Sequence, residues 1–537
     1  MSRQLRSRAH AVSPKAGVGL GVLWLLLSGV PEAAVDLRLV DAAKRNDSKA
    51  VQALIKQGVD VNTPQADGAT PLHWAAHWDD LATADLLIQS GARVNVEEET
   101  GTTPLVLACQ NGSAQMVDRL VRAGARPDVG RQKAVMVAAR TGNAEVMKLL
   151  LAHGGDPNTV EPERGQSALM WAASEKHAEV VRVLIRGGAD VWARTKANVP
   201  DRDAGVGAGG GAGQGGGRRR PPSNGANGFT ALLFATRAGD MDSARLLLDA
   251  GADVNDTAND GLSPLVLAAL RGHVALATLL LEYGADPNAD DAGYTALHWA
   301  AGSWETELTV TTITPDRDGE WETISGLKEG RLTLVNAMLA HGADPNARIK
   351  RTPARAGSSK NPALGELVGA TPFLIAAAAG ATDVMRALVA KGADIHLAAA
   401  GKGTPLMAAA GLGRVQGEVF VPEKDTLAAA QLIIRLGGVD LNAVDGIGNT
   451  ALHYAAYMRR DSIVRFLVEQ GAALEVRNKF GETPLWVSEL VIQFAGGGTF
   501  QVVPSSTGSL LRQLGAQPTR PAYDDLRPRY WPDLPHV

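Results

Sequence analysis

Apolar and polar positions along this chain recur together about every 33 residues. "DGATPLHWAAHWDDLATADLLIQSGARVN" (67–95) is followed by "TGTTPLVLACQNGSAQMVDRLVRAGARPD" (100–128). Later copies are "NGFTALLFATRAGDMDSARLLLDAGADVN" (227–255), "DGLSPLVLAALRGHVALATLLLEYGADPN" (260–288) and "GNTALHYAAYMRRDSIVRFLVEQGAALE" (448–475). In each copy a glycine permits a tight turn. The Thr or Ser two residues on suits a helix N-cap, and Pro71, Pro104, Pro264, Pro372, Pro405 and Pro484 fall at the first helical position. The pattern predicts a short alanine-rich helix, then a second helix with a Leu-Leu-Leu face that ends at a left-handed glycine. One such pair buries little alone, so neighbouring pairs must stack.

These motifs resemble the ankyrin repeat, which joins G-x-T-P-L-H-x-A-A to L-L-x-x-G-A-D-V-N at this spacing. About twelve units begin near residues 35, 67, 100, 131, 165, 228, 260, 293, 369, 402, 448 and 481. The resemblance is to an exported ankyrin protein of bacterial type. It implies an all-α repeat solenoid, a helix-turn-helix stack with β-turn fingers, on the order of 100 Å long. It covers nearly all of residues 35–517 apart from insertions. The first unit lacks the turn motif and places Asp36, Arg38 and Asp41 outward, as a terminal cap should. The fourth has "KAV" (133–135) in place of T-P-L, and the last is degenerate enough to be the other cap.

Insertions break the period at five places and divide the chain. Units fill 35–196, then a glycine-rich loop expected to be disordered (197–227), then 228–350, a second loop (351–368) and 369–517. The two loops fall between units. Three further insertions, 302–330, 412–424 and 491–506, fall inside units 8, 10 and 12, between the two helices. "ELTVTTIT" and "EWETIS" around "PDRDG" read as a β-hairpin. "EVFVP" (418–422) and "TFQVVP" (499–504) read as short extended segments. These insertions either form a composite ridge along one edge or are independent surface loops. A proline-rich tail follows at 518–537.

The N-terminus has a different pattern. Arg3, Arg6, Arg8 and Lys15 precede the apolar run "VGLGVLWLLLSGV" (18–30) and "PEAA", which is the order of a secretory signal peptide, residues 1–34. The run is short of the roughly 20 residues that span a membrane. Cutting after Ala34 leaves Glu32 where a small residue is preferred. Two readings stand: cleavage and export to the periplasm or beyond, or an uncleaved membrane anchor. The cap-like unit starting directly after Ala34 favours cleavage.

Composition narrows the function. A formal net charge of −4 over 537 residues gives no electrostatic footprint for nucleic acid. The single cysteine, Cys109, excludes an intramolecular disulfide and every multi-cysteine metal centre. His73, His298 and His453 occupy the T-P-L-H place, and none of the histidines has an H-E-x-x-H or comparable context. No cofactor, metal or catalytic residue is therefore expected. What remains is a set of aromatics at and just after the T-P-L-H place: Trp74, Trp78, Trp171, Phe234, Trp299, Trp304, Tyr454 and Tyr457. The resemblance implies that first helices and turn tips line a concave groove that binds a protein partner. In that groove these rings are candidate partner contacts, or they pack between adjacent units. Three functions follow in order: an exported interaction module, an envelope scaffold held by the N-terminal segment, or a ligand sensor or enzyme at the insertion edge.

Overall fold

The computed structural model describes residues 36–196, 228–302, 330–351, 368–413, 421–493, 499–502 and 504–518. Within them are twenty-four helices in twelve successive pairs. The first pair is Arg38–Lys44 and Ser48–Lys56, the second Pro71–His77 and Leu81–Gln89, and the last Pro484–Glu489 and Ser506–Gln513. Each first helix packs on the first helices of the units beside it, and each second helix does the same, without a break from unit 1 to unit 12. The array is continuous across every insertion.

Local sequence explains the helix starts. Side-chain oxygens of Thr103, Ser167, Thr230, Ser263 and Thr371 accept the third amide of their helices. Caps of this kind contribute about 1 kcal/mol each. Lys133 cannot cap, and there the first free amide, that of Ala134, donates to Pro127 O at 3.2 Å. One core runs the length of the stack, made of first-helix alanines and second-helix leucines such as Leu87, Leu120, Leu150, Leu184 and Leu247. Cys109 belongs to it, and burial pushes its thiol well above the usual range.

The two insertions between units leave their fingers intact. Thr195 N–H donates to Phe229 O at 3.0 Å and Phe229 N–H to Thr195 Oγ1 at 2.9 Å, closing the finger across 197–227. Ile349 N–H to Ala370 O (3.0 Å) and Gly369 N–H to Ile349 O (2.7 Å) close the other across 352–367. Replacing residues 197–227 by a three-residue glycine turn is therefore expected to stabilise the array by about 2 kcal/mol, the entropy of holding a long loop closed. A lowered urea midpoint in that variant would show that the insertion supports the fold.

Inside unit 12 the backbone forms an antiparallel hairpin, Leu490–Gln493 against Thr499–Val502, with Leu490 opposite Val502. In unit 10 the second helix is extended at its start to Glu423–Leu436. The segment 1–34, the glycine-rich loop, the hairpin expected within 303–329, the first three residues of "EVFVP" and the tail from 519 lie outside the described residues.

Candidate functional site on the first-helix face

Two ladders lock adjacent units and hold the first-helix face in place. In the T-P-L-H units the histidine is buried, and its Nδ1 accepts the N–H of the preceding N-cap threonine at 3.1 Å: Thr70 to His73, Thr295 to His298, Thr450 to His453. The other nitrogen, Nε2, faces a finger carbonyl, Thr102 O (3.2 Å), Ala347 O (3.0 Å) or Glu482 O (3.1 Å). A carbonyl there requires Nε2–H, so the neutral ring fits both partners. Burial, opposed only by the carbonyl contacts and nearby acids, pushes His298 and His453 down to about 4 and His73 in the same direction.

The second ladder runs past the C-terminal glycines. Asn62 Nδ2 donates to Gly91 O (3.1 Å) while its Oδ1 accepts Arg93 N–H (2.7 Å), and Asn95, Asn158, Asn255, Asn288 and Asn346 repeat the clamp. Trp192 stands in the asparagine place of unit 5. Its indole N–H donates to the equivalent carbonyl, Gly251 O, at 3.0 Å, and the ring stays 61% exposed. His396 holds that place in unit 9 and lies over Gly438, where an added Cβ would be 3.1 Å from its ring. Both substitutions show in the sequence when "GADVW" and "GADIH" are set against "GADVN".

The candidate aromatics divide by burial. Phe234, Trp299 and Tyr454 are core residues. Of the two alternatives open for each ring, these three pack within the stack, and the cause is local. Phe229 meets Phe234 edge-on at 5.6 Å, Tyr294 meets Trp299 at 5.5 Å, and Tyr454 OH donates to the buried Asp445 carboxylate. Burial first, then that carboxylate, raises the Tyr454 hydroxyl above its usual range. Trp74, Trp171 and Tyr457 are half-buried, and Trp78 is 46% exposed. Trp304 lies outside the described residues.

Two of the half-buried rings, Trp74 and Trp171, are brought together with cations that composition alone did not single out. Lys44 Nζ lies 5.2 Å from the Trp74 ring centre, and the Arg140 guanidinium 4.9 Å from that of Trp171. In each pair the cation comes from the last turn of the preceding unit's first helix, one turn beyond the ring's own register. Trp74, His77 and Trp78 form a stepped edge-to-face cluster, with centroids 5.6 and 4.7 Å apart. Trp78 Nε1–H donates to Lys44 O at 3.1 Å, which fixes the exposed indole. The Trp74 indole nitrogen is buried without a hydrogen-bond partner. Chemically this face offers flat apolar area beside fixed positive charge, a surface for recognition.

Family models described as ankyrin repeats match residues 39–131, 125–195 and 232–312, with further ankyrin models at 368–400 and 433–485. Together they span more than half of the chain. Among solved structures, the crystal structure of the human ASB11 ankyrin repeat domain is 27% identical, over 46% of this chain and 98% of that one, with a TM-score of 0.37.

Proposed function

Because the chain belongs to the ankyrin-repeat family, we propose that it is a non-catalytic interaction protein holding a protein partner along its first-helix groove and turn tips. Ankyrin repeats are generally protein–protein interaction modules. The observation that carries the proposal here is the fixed aromatic set of units 2 to 5: Trp78 exposed and Trp74 and Trp171 half-exposed, each immobilised before a partner arrives. Preformed anchors keep the ordering cost of binding low. No helix among the described residues is long and apolar enough to cross a membrane. The reading includes export, supported by the basic, apolar, small-residue order of residues 1–34.

The test is capture of a partner by the mature chain, compared with a Trp78→Ala/Trp171→Ala variant of unchanged helicity. The variant is expected to bind at least tenfold more weakly, since exposed aromatic anchors contribute about 2 kcal/mol each or more at interfaces. Equal capture by both proteins would move recognition away from this face. Concentration-dependent self-association without any captured partner would favour the scaffold reading.

A further inference from the structure

Resting on that reading, we infer that the partner segment taken up by units 1 to 6 is acidic, with carboxylates spaced among apolar side chains. Among the described residues, cations seated on aromatic rings occur on this face, at Lys44, Arg140 and Arg237. On the second helices, Arg119 pairs with Asp85 (3.0 Å), Arg122 with Asp118 (2.9 Å) and Arg182 with Glu179 (3.3 Å). Lys44, Arg45 and Arg140 have no carboxylate within ion-pair distance among the described residues. Two of them lie on tryptophan faces instead. A cation held on a ring keeps its outer side in solvent. An arriving carboxylate gains a charge-assisted hydrogen bond there while its apolar neighbours cover the ring. Asp41, Asp79 and Glu175 are exposed on the same face, so the pairs at Trp74 and Trp171 set where the segment's carboxylates must fall.

The ring-seated cations lie in units 1 to 6. In unit 11 the exposed Arg459 follows the first helix with no ring beneath it among the described residues. The corresponding helix ends from unit 8 onward are uncharged, at Gly302, Ala378, Gly411 and Tyr457. Lys44 and Arg140 are three units apart, roughly 30 Å at the usual helix spacing. An extended segment of about nine residues bridges them.

The test uses the full chain and two fluorescein-labelled peptides of about twelve residues. One alternates Glu with Leu and Phe, and its counterpart has Lys for Glu. The acidic peptide is expected to bind at least tenfold more tightly by anisotropy, and to weaken as salt is raised. A K44E/R45E/R140E variant should lose at least tenfold. An A378E variant, at the uncharged helix end of unit 9, should stay within twofold. Equal binding of both peptides, binding of neither, or an unchanged charge-reversal variant would overturn the inference. If a captured partner is lost with the Trp78/Trp171 variant and kept with the charge reversal, the groove reading stands and the acidic segment falls. If both variants keep it, both readings fall.

Discussion

Lowering the pH from about 7 to about 4.5 is expected to loosen the stack at two joints, between units 8 and 9 and between units 11 and 12. His298 and His453 are held neutral by burial, and their Nδ1 atoms face the amides of Thr295 and Thr450. A proton on Nδ1 would set two donors against each other. The folded pKa of about 4 lies below the roughly 6.5 of an unfolded histidine. The unfolded chain therefore binds more protons between these values. Stability is complete above about 6.5, falls as pH drops toward 4 and then levels, by roughly 3 kcal/mol per histidine. The check is the urea midpoint against pH for the wild type and for an H298Q/H453Q variant. Glutamine in that helical place can accept the cap amide and donate across the joint without titrating. The variant should lose most of the slope between about 6.5 and 4.5. A slope that survives would assign the acid sensitivity to other groups.

Most of the fold was legible because the repeat states it many times. Proline at the first helical position, a hydroxyl cap before it and glycine after the second helix each carry a local conformational preference, and twelve copies in one phase leave little freedom. Even a defective unit such as the fourth is carried by its neighbours. The site was less legible. The sequence places Trp74, Phe234, Trp299 and Tyr454 in one register, and that register does not decide exposure. Burial depends on what the adjacent residues supply. Tyr294 in the turn covers Trp299, Phe229 covers Phe234, and Asp445 draws in Tyr454, whereas Trp74 and Trp171 meet lysine or arginine from the preceding unit. For Phe234 and Trp299 the covering ring is the variable residue between the motif's own glycine and cap, and for Tyr454 it is a finger acid nine residues before. For Trp74 and Trp171 the deciding residue lies one repeat away. The substitutions in the asparagine ladder were readable in principle, since Trp192 reuses the same carbonyl acceptor with a different donor.

Truncating Trp299 to alanine should damage the fold far more than truncating Trp78, although both belong to the same aromatic set. Trp299 is 6% exposed and meets Tyr294 edge-on, so its removal leaves a cavity costing about 3–5 kcal/mol. Trp78 gives up one hydrogen bond to Lys44 O and a partly exposed ring, about 1 kcal/mol. In a stack whose units touch only their neighbours, the Trp299 loss is local. Amide exchange in units 7 to 9 should accelerate by roughly a thousandfold, at tenfold per 1.4 kcal/mol, while units 1 to 4 keep their protection. Uniform acceleration along the chain would mean that the array unfolds as one cooperative block. No acceleration would mean that Trp299 is outside the core. The contrast also decides how partner binding can be probed. A variant that includes Trp299→Ala confounds lost recognition with lost structure at unit 8, whereas Trp78 is exposed and Trp171 half-buried, so units 2 and 5 are expected to stay folded without them.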